Sequence, residues 1–132
     1  MLSNDEFLLA FFSSELANSD FHHRDHLRLA WLMVRRHGAE KAEAEVVVGI
    51  QKFASAHGHA GRYYDTMARF WVRLVAHVIA GSPWIQDFDA FLAAHPMLLD
   101  AGLPFRHWRR EAMFSPEARS AWRDPDLAPL PF

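Results

Sequence analysis

The sequence predicts an all-α fold: a single domain over residues 1–132, built as a helical bundle of four main helices with short C-terminal helices and an extended proline-rich tail. Three observations carry this. Apolar residues recur at spacings of three and four along four long stretches, the period of one helix face. Each stretch is bounded by capping residues or by glycine and proline. Nowhere do apolar and polar residues alternate as they would in a half-buried strand.

In chain order, Asn4 caps a first helix over residues 4–16, with Phe7, Leu8, Phe11 and Phe12 at helical spacing. The stretch "ANSD" ends it, and Ser19 or Asp20 caps a second helix that runs to Arg36 or His37 before Gly38. A third helix covers residues 39–57, with Val46, Ile50, Phe53 and His57 along one stripe. "HGHAG" breaks the chain, and a fourth helix follows over residues 62–80, ended by Gly81, Ser82 and Pro83. "WIQDFDAFLAAHP" reads as a short helix stopped by Pro96, and "FRHWRREAMF" as another. Ser115 and Pro116 suit the cap and first position of a last short helix, "SPEARSAW". The tail "DPDLAPLPF" holds too many prolines for a helix and is expected to lie extended across the bundle.

Composition limits the functional classes. With 51% hydrophobic and 14% aromatic residues in 132, there is ample material for one core. A formal charge of −2 gives no electrostatic argument for nucleic acid or for an anionic membrane. Cysteine is absent, which removes disulfides, thiolate metal sites and a cysteine nucleophile. The first residues are acidic where a signal peptide needs basic ones, and "WVRLVAHVIAG" is interrupted by Arg73 and His77 well short of a ~20-residue span. A cytoplasmic protein is the expectation.

The stretch "FHHRDHLRLAW" carries the candidate site. At 100° per residue, His23, His26, Leu27, Ala30, Trp31 and Val34 fall on the core side of the second helix, with His22 at the border and Asp25 toward solvent. A stripe entering a core usually carries Leu or Val, so two histidines one turn apart there are unusual. Short loops make successive helices antiparallel. The start of helix two should therefore lie near the end of helix three, which supplies His57, and the start of helix four, which supplies Tyr64 and Asp65.

Two readings follow from that convergence. In the first, His23, His26, His57 and Asp65 form a mononuclear site for Zn, Fe, Ni or Mn that acts on a small molecule, because imidazoles with an oxygen ligand suit these metals. In the second, the protein binds a small molecule without a metal or forms a homodimer through its surplus aromatics, and the histidines are structural. A pocket would then draw on His22, Tyr64 and Trp31, with Phe70 and Trp71 as further walls. The remaining histidines, His77, His95 and His107, are assigned to packing, and His37 to the helix C-terminus. Arg106, Arg109 and Arg110 around Trp108 read as a solvated face paired with Glu111, Glu117 and Asp124, while Trp84, Phe88 and Phe91 read as core.

Taken together, "FHHRDHLRLAW", "YYDTMARFW", "LLDAGLPFRHW", "FSPEAR" and "PDLAPLP" resemble an uncharacterised family of small bacterial all-helical proteins. The resemblance covers residues 21–131, and its most distinctive parts are Phe21-x-His23-x-x-His26-Leu27 and Pro125-Asp126-Leu127. In the family pattern helix four opens Tyr-His-Glu-Thr, where this chain has Tyr63-Tyr64-Asp65-Thr66. A phenol thus replaces an imidazole while the carboxylate is kept, which argues against a metal role at position 64. The resemblance implies the helical fold and sharpens the site; it implies no activity.

Overall fold

Three long helices supply the centre of the molecule: α2 (His23–His37), α3 (Ala39–Ala56) and α4 (Asp65–Gly81), each packed against the other two. The computed structural model describes residues 1–132 and contains helices and turns but no strand. A shorter α1 (Asn4–Phe12) lies on α3, and α5 (Phe88–Ala94), α6 (Arg110–Met113) and α7 (Pro116–Ser120) follow, the last against α4. None of the helices is long and apolar enough to cross a membrane.

Local chemistry explains where the helices begin and end. Ser3, not Asn4, caps α1: its hydroxyl accepts from the Glu6 N–H, and the Glu6 carboxylate accepts from the Ser3 N–H. The helix stops at Phe12 rather than Leu16, because Ser13 turns its hydroxyl back to the Ala10 carbonyl and Ser14 takes a positive φ of 62°. Residues 18–20 form a separate 3-10 turn, so α2 starts at His23 and not directly after Asp20. Likewise Ala60–Arg62 turn on their own, and α4 begins at Asp65. The stretch "FRHWRREAMF" divides into a 3-10 turn (Leu103–Arg106) and α6, with the fully buried Trp108 between them.

Two glycines set the central packing. Gly38, at φ 84° and ψ 163°, is the only residue between α2 and α3, and that backbone region is essentially closed to residues with a Cβ. At Gly49 a Cβ would stand 2.8 Å from the Phe12 ring, so α1 and α3 approach as closely as they do because nothing projects there.

Leu27, Leu29, Phe70, Val75, Trp108 and Met113 sit at the bottom of the core, each with essentially no exposed surface. Phe88 and Phe91 join it, whereas Trp84, expected inside, is 72% exposed. The solvated arginine face pairs differently from expectation: Arg106 lies 3.5 Å from Asp100, and Arg110 stacks over Phe105. Beyond α7 the tail runs extended. Its Arg123 carbonyl accepts from the Trp108 indole at 3.0 Å, and its Leu127 N–H donates to the His107 carbonyl at 2.9 Å.

Candidate functional site

The first turn of α2 and the first residues of α4 meet at one end of the molecule and line a single pocket of about 380 Å³. His22 is the N-cap of α2, its backbone extended and its N–H donating to the Asp25 carboxylate at 2.9 Å. His23 and His26 are therefore the first and fourth residues of the helix, one turn apart, and both line the pocket. Tyr64 is the N-cap of α4 and enters from the other side, with Tyr63 and Arg62 just before it. Ile50, Met67, Trp71 and Phe114 supply most of the apolar wall. An apolar cavity with a few convergent polar groups is the usual form of a small-molecule site.

The two histidines are held differently. The Nε2 of His23 is 2.8 Å from the Leu98 carbonyl, which only accepts, so Nε2 carries a proton and donates to it. Its ring also meets the Trp71 indole edge-on, with centroids 4.5 Å apart. His26 stacks on Phe21 at 4.0 Å and has no hydrogen-bond partner in the protein, yet neither of its ring nitrogens is sealed from the pocket. Burial, with a smaller contribution from the charge of His23, pulls its pKa down to about 4. At neutral pH His26 is thus an uncharged imidazole with one free acceptor and one free donor facing an apolar space. Chemically it can orient a polar group of a ligand or take up a proton from one.

The other expected site residues lie elsewhere. Asp65 is 6% exposed and both its oxygens are committed: the Tyr63 hydroxyl donates to one at 2.7 Å, and Arg69 Nε to the other at 2.6 Å. Arg69 continues to Glu43, which also takes two hydrogen bonds from Arg73. Burial alone would raise the Glu43 pKa, but the hydrogen bonds from Arg73 and Arg69 outweigh it and hold it low. Asp65 therefore reaches the pocket only at one remove, by fixing Tyr63, whose ring lines it. The same burial and the Asp65 hydrogen bond push the Tyr63 phenol well above its ordinary range, so it remains a donor.

His57 follows α3 as its C-cap, stacks on Phe53 at 4.4 Å and leaves its Nε2 buried and unpartnered, outside the pocket lining. His22 is exposed at the cap and does not line the pocket. Trp31 is buried against Phe88 and Phe91, and Phe70 faces another cleft. No group of three or more His, Asp or Glu side chains is arranged to hold one metal ion. The sequence places Tyr63 at this pole with Tyr64; the pocket members that it does not point to include Arg62, Met67, Ala101 and Phe114. Arg62 is the most accessible of these to sequence reasoning, being a cation two residues before Tyr64 at the expected start of the fourth helix.

The role of Asp65 can be separated from metal binding. Asp65→Ala leaves the Tyr63 hydroxyl and one face of Arg69 without an acceptor, which should cost about 1–3 kcal/mol of stability. Urea denaturation should show the same loss with and without a chelator; a loss seen only without chelator would restore a metal role.

A second cleft, of about 550 Å³, brings together His77, His95 and His107, with Pro129, Leu130 and Pro131 of the tail as one wall. Two of its imidazoles are already satisfied: His95 by Ser82 at 3.0 Å and His107 by the Ala128 carbonyl at 3.2 Å. The third, His77, is also without a partner but is exposed to solvent, whereas His26 is unpartnered in the packed interior, which singles out the first pocket. Comparison of the chain with protein-family models, curated proteins and solved structures yields no match.

Proposed function

We propose that this protein binds a small, largely apolar molecule in the pocket between α2 and α4, with His26 as its main polar contact. The observation that carries this is the neutral, unpartnered His26 ring opening into a cavity of about 380 Å³. Leaving a polar ring without a protein partner in a largely apolar setting is unfavourable, and a ligand group that pairs with it would offset that cost. Tyr64 offers a second polar group, and Tyr63 is locked by Asp65 as a donor rather than a base. The four helices α1–α4 serve in this reading as the bundle that holds the pocket open. A metal-dependent reaction on the same residues has less support, because Asp65 is occupied by Arg69 and His23 by Leu98.

The neutral fluorescent probe N-phenyl-1-naphthylamine tests the reading. It should bind with one-to-one stoichiometry and a blue-shifted emission; Ala68 lines the pocket, and Ala68→Trp, which fills it, should abolish binding while the helical circular dichroism is kept. Equal emission from the wild type and a folded Ala68→Trp variant would sink the proposal.

A further inference from the structure

The charges around the pocket say what kind of molecule fits it. The lining includes Arg62, His23 and His26 but no aspartate or glutamate. The carboxylates nearest in the chain have partners: Asp25 the His22 N–H, Asp65 Tyr63 and Arg69, and Asp100 the Gly102 N–H and Arg106. A cationic ligand would find no counter-charge here.

Arg62 stands out among the arginines. Arg24, Arg36, Arg69, Arg73 and Arg106 form ion pairs. Arg28, Arg35, Arg119 and Arg123 donate to carbonyl or side-chain oxygens, and Arg110 stacks over Phe105. The side chains of Arg62 and Arg109 alone have no such partner, and of these two only Arg62 lines a largely apolar pocket. A second cation stands close by: the Arg119 guanidinium lies over the Tyr64 ring at 5.7 Å and donates to the Ala60 carbonyl. Arg62 is exposed and marks the mouth, while His26 is set deeper in the packed interior, against Phe21 and the core. The rings of Tyr64, Trp71 and Phe114 and the flexible Met67 line the same pocket.

From this arrangement, and resting on the pocket assignment above, we propose that the ligand is a small organic acid with a flat apolar body. Its carboxylate pairs with the free guanidinium of Arg62 at the mouth, and a neutral hydroxyl at its far end meets the imidazole of His26. A planar carboxylate matches the guanidinium fork, flat rings suit an aromatic wall, and a hydroxyl can satisfy either free nitrogen of a neutral histidine.

Binding of three related probes, followed by calorimetry on the full chain, tests the inference. 6-Hydroxy-2-naphthoate should bind at least tenfold tighter than its methyl ester, which lacks the charge, and several-fold tighter than 2-naphthoate, which lacks the hydroxyl. Arg62→Gln should weaken the acid about tenfold and leave the ester unchanged; as an exposed loop substitution it spares the fold. His26→Leu should erase the advantage of the hydroxyl but keep that of the carboxylate. An ester that binds as well as the acid, or an acid indifferent to Arg62→Gln, overturns the proposal while N-phenyl-1-naphthylamine binding upholds the pocket. Tighter binding of decanoate than of either naphthoate overturns the flat body. Failure of every probe, N-phenyl-1-naphthylamine included, overturns the pocket and the acid together.

Discussion

Trp108→Ala should remove about 3–5 kcal/mol of stability, the usual cost of deleting a fully buried large aromatic side chain. Trp108 has no exposed surface. Its ring meets Phe70 and Trp122 edge-on, with centroids 5.5 Å and 5.6 Å away. Its indole N–H donates to the Arg123 carbonyl, and that contact sits next to a Thr66 hydroxyl that accepts from the Arg123 N–H and donates to the Ala121 carbonyl. The side chain therefore joins α4 to the start of the extended tail. Its loss leaves a cavity and an unsatisfied carbonyl at the same time, and for a domain held by roughly 5–15 kcal/mol that is about a fifth or more of the total. Trp108→Phe keeps much of the ring and loses the N–H, so it should cost only about 1–2 kcal/mol. The urea midpoints of the two variants check this: similar midpoints would mean that the hydrogen bond, not the packing, holds the tail.

How much of this was legible in the sequence depends on the distance over which each feature is decided. His23 and His26 share a face because of the helical period alone, and they share a pole with Tyr64 because short connections reverse the chain; both are local arguments, and the pocket lining agrees with them. The surroundings of Asp65 are decided by two competing distances. Arg69, one turn along α4, and Tyr63, two residues back, capture its oxygens before any histidine is within reach. The spacing to Arg69 is visible in the sequence; the second anchor, Glu43 from α3, depends on how α3 and α4 pack.

Trp31 shows a limit of the periodic argument. Eight residues beyond His23 it is rotated by ~80° around the helix, a quarter turn that directs it to α5 instead of α4. Where α5 would lie was not legible, because the loop before it is fixed by long-range contacts such as the Arg35 hydrogen bond to the Ile85 carbonyl. His57 marks the edge of helix three, and from its cap position it reaches back to Phe53 within its own helix. Phe114 enters the pocket from α6 and the turn after it, far along the chain, with no sequence signal.

Acidification should weaken the fold between pH 6.5 and pH 4, and His26 should account for a large part of the effect. Its pKa is about 4 in the folded protein against 6.5 as an ordinary histidine. In that window the unfolded chain binds a proton that the folded chain does not, so stability is full above pH 6.5 and falls as the pH is lowered. At 1.36 kcal/mol per pH unit the difference amounts to roughly 3 kcal/mol by pH 4. The carboxylate contribution is separable. Glu43 is held low by Arg73 and Arg69, so its stabilisation is present above its ordinary value of 4.5 and is lost only below it. His26→Leu, similar in volume and free of titration, should be less sensitive to pH between 6.5 and 4.5 than the wild type. The difference between the two proteins cancels the other histidines. Parallel pH profiles of unfolding free energy would show that His26 takes up its proton as easily in the folded state as in the unfolded one. The same profile bears on function, because the free energy that keeps His26 neutral is also what leaves an imidazole available to a ligand at neutral pH.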